Sequence, residues 1–298
     1  MVNGTPYPTL HHWITIMPSL TLPPGQPFSL DQTLGCGQVF RWERSPDGTW
    51  LGIVDNHVIR IRQEGTRLRF RGAPEEFIRR YFSLDIDLLP LLSSIDNDPV
   101  IHRAIGQCSG LRLVRQLPWE CTVSYICSTN SNIPTIRRRI GLLAERFGTR
   151  IQSGGQTFFT FPEPSCISCK GHEGLTICKL GYRQPYVYGT SCTVTDVRSW
   201  EKKIRRLPYE DARKELMKLQ GVGPKAADCI LLFAFQKYDA FPVDVWIRRI
   251  LKEQYLPDLP TDAPLTTREY DRIRKFAKEQ FGEYCGWAQE YLYAARIL

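Results

Sequence analysis

Lys225 has a side chain and a position that suit nucleophilic chemistry. It follows a glycine-rich turn at residues 221–224 and lies in the first turn of a predicted helix, in which Pro224 suits the first position. The positive end of the helix dipole and partial burial both favour the neutral amine, which is a nucleophile. Cys229 lies four residues further on, on the same helical face. Taken alone, however, Lys225 would fit a surface or phosphate-binding lysine better than a nucleophile.

The turn before this helix has the residues of a phosphate-binding hairpin. Gly221 and Gly223 stand one residue apart, after a predicted helix at about 209–218. Without side chains, the backbone N–H groups of such a turn can approach a DNA phosphate, and the following helix N-terminus attracts the anion. We therefore expect a helix-hairpin-helix, although a plain turn between two helices is the alternative.

Asp244 is the third chemical candidate. It stands in the run Phe-Pro-Val-Asp-Val-Trp that opens another predicted helix, where it would be the N-cap with its carboxylate at the positive helix end. Most aspartates at this position only cap the helix. The combination of the hairpin, Lys225 and a Pro-Val-Asp cap is much more specific than any one of the three.

Two kinds of element must position these residues. Residues 38–72 alternate or are β-branched between turn sequences, which predicts an antiparallel sheet whose first strand contains Val39. From Pro99 onwards helical periodicity dominates. We expect helices at about 194–204, 209–218, 224–236, 245–254, 266–280 and 286–296, and loops at 157–164 and 184–190. Residues 1–30 are expected to lie across the surface of the first domain.

The composition limits the class of protein. The chain has 298 residues, of which 42% are hydrophobic and 23% charged, so it can bury a sizeable core in about two domains. Its net charge is +8, and the segment from Pro134 to Lys225 holds 17 Lys and Arg against 8 Asp and Glu, which favours an anionic partner such as DNA. No apolar run approaches the ~18 residues of a membrane span. Ten unevenly spaced cysteines indicate reduced thiols, so we expect a soluble intracellular protein.

Seven separated stretches, in order, are similar to one known family. They are Gly37-Gln38-Val39-Phe40-Arg41-Trp42, Gly110-Leu111-Arg112-Leu113-Val114-Arg115-Gln116, Ile126-Cys127-Ser128-Thr129-Asn130-Ser131-Asn132-Ile133, Leu180-Gly181-Tyr182-Arg183, the hairpin with Lys225, Pro242-Val243-Asp244-Val245 and Gly286-Trp287-Ala288-Gln289. On these residues the chain resembles the 8-oxoguanine DNA glycosylase/AP lyase family of the helix-hairpin-helix DNA glycosylase superfamily.

The resemblance implies an α+β fold with a DNA-binding cleft. A twisted antiparallel sheet domain, which we expect at residues 1–105, would precede a helical region at 106–298. The helical region would consist of two subdomains, one at roughly 128–204 and the other made of 106–127 plus 205–298. The cleft would lie between the two helical subdomains.

The resemblance also assigns roles in the reaction. Lys225 would attack the sugar C1′, displace the oxidised base and form a Schiff base, after which β-elimination cleaves the strand. Asp244 would stabilise the positive charge that develops on the sugar. The flipped base would be read by Gly37, Cys229, Gln289 and Tyr293. Gln289 and Tyr293 are four residues apart and share a helix face, and Tyr293 replaces the usual phenylalanine.

Further matches concern the DNA around the lesion. Asn130, Tyr182 and Arg183 match residues that fill the gap left by the flipped base and contact the opposite cytosine. Thr135 stands where eukaryotic members carry an arginine that reads this cytosine, so the preference for the opposite base is left open. Trp246 replaces a histidine near the 5′ phosphate of the lesion, which puts that contact in doubt.

Cofactors are not expected. The iron–sulfur cluster of some relatives needs four cysteines beyond the catalytic region, where only Cys285 follows Cys229. The group Cys166, Cys169, His172 and Cys178 is compatible with zinc spacing, but buried thiols and a surface histidine are the preferred interpretation.

The sequence is also compatible with two other functions. One is removal of another oxidised base by the same chemistry, and the other is a non-catalytic helix-hairpin-helix module that only binds DNA. For the leading function the partner is double-stranded DNA containing 8-oxoguanine. We expect a monomer without a membrane partner, located in a prokaryotic cytoplasm or, in a eukaryote, in the nucleus.

Overall fold

The N-terminal part of the chain forms a five-stranded antiparallel sheet. The computed structural model describes residues 18–260 and 263–296. The strands are β1 (Ser19–Thr21), β2 (Trp42–Arg44), β3 (Trp50–Val54), β4 (His57–Glu64) and β5 (Arg67–Arg71), in the spatial order β1-β5-β4-β3-β2. On β3, Gly52 makes room for the opposite residue, because a Cβ there would come within 2.3 Å of the Trp42 ring.

The rest of the chain is almost entirely helical. Four short helices flank the sheet and follow it: α1 (Leu30–Gly35), α2 (Glu75–Tyr81), α3 (Leu88–Ile95) and α4 (Pro99–Gln107). The middle of the chain forms α5 (Pro118–Ser128), α6 (Ile133–Phe147), the hairpin β6 (Arg150–Ser153) and β7 (Gln156–Phe159), α7 (Pro164–Ser168), α8 (Gly171–Gly174), α9 (Gln184–Thr193) and α10 (Val197–Arg206). The last part forms α11 (Tyr209–Leu216), α12 (Pro224–Phe235), α13 (Val245–Gln254), α14 (Thr267–Phe281) and α15 (Cys285–Ala295). Single 3-10 turns occur at Thr176–Cys178, Gly181–Arg183 and Gly282–Tyr284. This arrangement confirms the predicted α+β class.

The N-terminal stretch differs from the prediction. Of the residues 1–30 expected on the surface, 1–17 lie outside the described residues. Of the remainder, Ser19–Thr21 forms β1, which pairs with β5, and Leu20, Leu22 and Phe28 are buried in the core of the sheet.

The first predicted strand also begins later than expected, at Trp42 rather than Val39. The Gln38 side chain explains the difference. Its amide group donates to the Arg112 carbonyl at 2.9 Å, and its Oε1 accepts from the Val114 N–H at 2.8 Å. The chain before β2 is therefore bound to the segment after α4 instead of to a neighbouring strand.

Two segments predicted as loops carry regular structure. Strand β7 occupies part of 157–164, because Gly154 and Gly155, both at positive φ, make the tight turn of a hairpin. Helix α9 covers 184–190, and Pro185 lies in its first turn, where a missing N–H is tolerated.

The described residues form two apolar cores. One core covers the sheet and contains Trp42, Phe70 and Phe82. The other unites α3 to α15 and also takes in Cys36 and Phe40 from the chain that enters the sheet. The loop around Gly37 therefore reaches from the sheet into the helical core. The domain limits given above stay a prediction.

A buried carboxylate fixes the helix that carries Lys225. In α12 every residue from Ala226 to Phe235 is buried, and Asp228 is the only acidic or basic residue in that run. Asp228 accepts hydrogen bonds from the Tyr209 hydroxyl at 2.8 Å, the Arg213 guanidinium at 3.0 Å and the Tyr270 hydroxyl at 2.7 Å. Burial raises the pKa of this carboxyl, and the charge of Arg213 acts in the opposite direction.

The same group also connects α12 to the segment that contains Asp244. The Tyr270 hydroxyl, which donates to Asp228, accepts from the Val243 N–H at 3.2 Å. Helices α11, α12 and α14 and the start of α13 are therefore held by one carboxylate and its partners.

We expect Asp228→Ala to lower the free energy of unfolding by about 3–5 kcal/mol, because it leaves Arg213 buried without its counter-charge. The matched control is Asp271→Ala, which removes an exposed partner of Arg274 and should cost about 0–1 kcal/mol. Denaturant unfolding of both variants measures the difference. Equal effects of the two substitutions would contradict this assignment.

Candidate active site and nucleic-acid interface

One cavity of about 1090 Å³ opens between the helices and the loop that joins α1 to β2. Its wall includes ten of the twelve side chains or backbone positions predicted from the sequence: Gly37, Asn130, Gly221, Gly223, Lys225, Cys229, Asp244, Trp246, Gln289 and Tyr293. Tyr182 and Arg183 are not part of it. Residues that are up to 256 positions apart in the chain thus meet around one space large enough for a nucleoside.

Lys225 is the second residue of α12 and is partly buried. Its Nζ lies 4.8 Å from the centre of the Tyr125 ring. That ring stacks on Phe233, with centroids 5.9 Å apart and planes 6° apart, and meets the edge of Phe40 at 6.0 Å. The amine therefore rests on an aromatic wall that limits its positions. Sequence analysis did not identify Tyr125, since an aromatic residue in an apolar helix resembles any core residue.

Cys229 lies one turn after Lys225 and is buried in the same wall. Burial raises the pKa of its thiol to about 12, against the opposing effect of the nearby Lys225 charge. The side chain is therefore a neutral thiol near pH 7, which suits apolar contact and does not compete with the amine as a nucleophile.

Asp244 is the N-cap of α13, as expected from the sequence. Its Oδ1 accepts from the Trp246 N–H at 3.0 Å and from the Ile247 N–H at 2.8 Å. These bonds fix the carboxylate at the positive end of the helix, where it lines the cavity together with Lys225.

Glycines shape two sides of the cavity. Gly37 has φ of +98°, and a Cβ there would lie 3.0 Å from the Ile133 Cδ1. Gly221 has φ of +79°, and a Cβ there would lie 2.6 Å from the Tyr186 Cβ. Both positions thus favour glycine on backbone conformation, and Gly221 favours it on space as well. Gly223, the N-cap of α12, has a negative φ, and a Cβ there would have no atom of the described residues within 4 Å. No other described part of the protein therefore covers this side of the hairpin backbone next to Lys225.

Helix α15 supplies the last wall. Gln289 and Tyr293 share one of its faces, and Glu290 also lines the cavity. Gln289 and Glu290 are buried, and the Oε1 of each has no hydrogen-bond partner among the described residues. Burial raises the pKa of Tyr293 to about 12, so its ring is a neutral phenol that can stack. Sequence analysis did not identify Glu290.

Tyr182 and Arg183 support the loop that carries Asn130. The Arg183 guanidinium donates to the Thr129 carbonyl and, at 3.1 Å, to the Asn130 carbonyl. The Tyr182 hydroxyl donates to the Thr129 carbonyl at 3.2 Å, and its ring lies 4.2 Å from the Arg183 guanidinium. Arg183 is 3% exposed and Tyr182 is 51% exposed, so the structure directs the arginine towards its own chain and the tyrosine towards solvent.

Of the other departures from the family pattern, Trp246 lines the cavity and Thr135 does not. Thr135 lies in the first turn of α6, where its N–H donates to the Asn132 side chain at 3.0 Å. Trp246 is 39% exposed at the start of α13, with the guanidinium groups of Arg249 and Arg296 at 5.3 Å and 4.2 Å from its ring. Trp246 thus forms the centre of an exposed cationic and aromatic surface.

The zinc alternative is not supported by the structure. Cys166 and Cys169 are exposed, Cys178 is buried, and His172 is exposed. Over residues 18–260 and 263–296, no three His, Cys, Asp or Glu side chains form a group that could hold a metal ion. The preference for buried thiols is therefore wrong for Cys166 and Cys169, which lie at the outer side of the short helix α7.

In the described part of the chain, no helix combines the length and apolar character needed to cross a membrane.

All ten cysteines are free thiols, seven of them buried. At about pH 8 we expect a thiol reagent to modify only Cys166, Cys169 and Cys192 rapidly in the folded protein, because burial keeps the others protonated and shielded. Peptide mapping after brief labelling identifies the modified positions. The unfolded protein, in which all ten thiols should react, is the control; rapid labelling of Cys229 in the folded state would show that its site is open.

The chain matches known proteins over most of its length. A family model described as the N-terminal domain of 8-oxoguanine DNA glycosylase matches residues 20–122. A probable N-glycosylase/DNA lyase of Methanothermobacter thermautotrophicus is 32% identical over 302 residues, which cover 89% of this chain and 92% of the relative.

Solved structures agree with this match. The structure of MBOgg1 in complex with a low affinity DNA ligand superposes with a TM-score of 0.83 and 33% identity, covering 94% of this chain and 99% of that one. The Clostridium acetobutylicum 8-oxoguanine glycosylase/lyase, in complex with double-stranded DNA containing cytosine opposite 8-oxoG, gives a TM-score of 0.82 with 30% identity and covers 90% and 91%. The chain therefore belongs to the 8-oxoguanine DNA glycosylase/AP lyase family of the helix-hairpin-helix DNA glycosylase superfamily.

Proposed function

We propose that this chain removes 8-oxoguanine from double-stranded DNA and then cleaves the strand at the abasic site, with Lys225 as the nucleophile. The observation that carries the proposal is the cavity in which Lys225 and Asp244 meet Gly37, Cys229 and Gln289. The Clostridium acetobutylicum relative, crystallised with 8-oxoG opposite cytosine, supports the choice of substrate.

Recognition follows from the one edge on which the two bases differ. Guanine presents N7 as an acceptor, whereas 8-oxoguanine carries a hydrogen on N7 and is a donor there. The carbonyl of Gly37 would accept from the lesion and face the lone pair of guanine. Gln289, whose Oε1 is unpartnered among the described residues, would pair with the Watson–Crick edge. Cys229 and Tyr293 would cover the two faces of the flipped base.

The covalent steps use amine chemistry alone. The Nζ of Lys225 attacks the sugar C1′ as the bond to the base breaks, and the Asp244 carboxylate stabilises the positive charge that develops on the sugar. Opening of the sugar ring gives a Schiff base. A solvent water then takes a proton from C2′, a C2′–C3′ double bond forms, and the C3′–O bond breaks, which expels the 3′ phosphate and cleaves the strand.

The surroundings of the cavity suit duplex DNA. The hairpin with Gly221 and Gly223 would hold a backbone phosphate, and Trp246 would lie beside the strand that carries the lesion. Asn130 and Tyr182 would occupy the space left by the flipped base and face the opposite strand, whereas Arg183, which is buried, would hold the Asn130 loop in place. We further propose that the protein acts as a monomer without a membrane partner, in the cytoplasm of a prokaryote on its nucleoid, or in the nucleus of a eukaryote.

Borohydride trapping tests the nucleophile. With a duplex that contains 8-oxoguanine opposite cytosine, the wild-type protein should form a covalent adduct on reduction, because the Schiff base becomes a stable amine. Lys225→Gln should form none, whereas Lys218→Gln, which changes an exposed lysine paired with Glu215, should be trapped like the wild type. Binding without an adduct would favour a DNA-binding module, and adduct formation only with another oxidised base would change the substrate.

A second test concerns the carboxylate. Asn is as good an N-cap as Asp, so Asp244→Asn should keep α13 and the affinity for lesion DNA while lowering the single-turnover rate of base removal by about 10²- to 10³-fold. Rapid-quench measurement of excision, with DNA binding measured in parallel, separates the two effects. An unchanged rate would remove Asp244 from the mechanism.

A further inference from the structure

Glu290 is a carboxyl group of the active site for which the steps above have no use. It lies next to Gln289 on α15, is 3% exposed and lines the cavity together with Lys225 and Asp244. Its Oε1 has no hydrogen-bond partner among the described residues, and no ion pair of Glu290 is found among them. The carboxyl is hydrogen-bonded to the Cys36 thiol but has no positively charged partner among the described residues. A buried carboxyl with one oxygen unsatisfied is costly, so a purely structural role would be better served by an apolar side chain.

The surroundings of Glu290 bring it close to neutrality. The pKa of this carboxyl is raised to about 7, mainly by burial. The negative charge of Asp244 also raises the pKa, whereas the hydrogen bond with the Cys36 thiol and the charge of Lys225 lower it. Titratable groups on several neighbouring elements act on it or are affected by it. They are Cys36 after α1, Cys108 after α4, Tyr125 on α5, Lys225 and Cys229 on α12, Asp244 at the start of α13 and Tyr293 on α15.

Glu290 lines the same cavity as the residues assigned to the base and those assigned to the sugar. Its carboxyl is hydrogen-bonded to Cys36, which directly precedes Gly37 in the part of the wall assigned to the base. It also interacts electrostatically with Lys225 and Asp244, which are assigned to the sugar. A carboxyl group near both sets of residues is suited to move a proton from the nucleophile to the leaving group. Asp244 is less suited, since its Oδ1 already accepts two backbone hydrogen bonds.

We propose that Glu290 is the proton-transfer group of this site, which takes a proton from Lys225 and returns it to the departing base. The inference rests on the proposed function. First, an Nζ–H bond of the Lys225 ammonium breaks and an O–H bond forms on Glu290. The freed Nζ lone pair then bonds to C1′ while the electron pair of the glycosidic bond leaves with the base. Finally the carboxyl O–H breaks, the base nitrogen gains the proton, and the carboxylate is restored.

The test is the pH dependence of single-turnover base excision, from about pH 5.5 to about pH 9, for the wild type and Glu290→Gln. The wild-type rate should rise with a midpoint near pH 7, because only the carboxylate accepts the lysine proton. Glu290→Gln keeps the shape of the side chain but cannot accept a proton. It should be slower by about 10²-fold or more and lack this midpoint, while its affinity for lesion DNA stays within about threefold. Glu283→Gln, an exposed residue of the turn before α15, should retain the wild-type profile.

The outcomes separate this inference from the proposed function. A wild-type protein that does not excise the base would overturn both. An active wild type with a Glu290→Gln variant of unchanged rate, or of lower rate with the same midpoint, would overturn the role of Glu290 alone.

A second variant guards against a folding defect. Glu290→Ala, checked by thermal unfolding, leaves a space in which added formate can act as the missing proton acceptor. Formate should restore part of the lost rate in this variant and leave Glu290→Gln unaffected. A folded Glu290→Ala protein that formate does not rescue would count against the proposal.

Discussion

The active site depends on a carboxylate that takes no part in the chemistry. Asp228 is buried in α12, and its three hydrogen-bond donors come from α11 and α14. One of them, Tyr270, also holds the backbone that leads to Asp244. Lys225, the proposed nucleophile, and Asp244, proposed to stabilise the charge on the sugar, are thus attached to opposite ends of one buried network. Because such a network is fully satisfied only in one arrangement, it defines the separation of the two groups as well as the stability of the helices.

Local signals were sufficient for much of the fold and the site. The hairpin glycines, Pro224 and the Asp244 cap mark helix ends through the backbone itself, so their sequence positions coincide closely with the observed helices α12 and α13. The similarity to a known family supplied the rest of the cavity, including Gly37 and Gln289, which no periodicity connects. Errors occurred where distant contacts decide, as at Val39, where the side chain of Gln38 binds another segment.

Other features could not be derived from the sequence for a physical reason. Asp228, Tyr125 and Glu290 each stand in an apolar helix, and their importance arises from partners that only the fold brings near. A buried acid looks alike in the sequence whether both of its oxygens accept hydrogen bonds, as in Asp228, or one oxygen has no partner among the described residues, as with the Oε1 of Glu290. The distinction between a structural and a chemical carboxylate therefore requires coordinates.

The cationic and aromatic surface at Trp246 has a consequence for association with DNA. Two long and flexible side chains, Arg249 and Arg296, already lie against the indole in the free protein. Restricting an arginine normally costs about 1.5–2 kcal/mol of rotamer entropy at the moment of binding. Here the two arginine side chains are already partly ordered before DNA binds. Binding of their guanidinium groups to phosphates therefore loses less side-chain entropy.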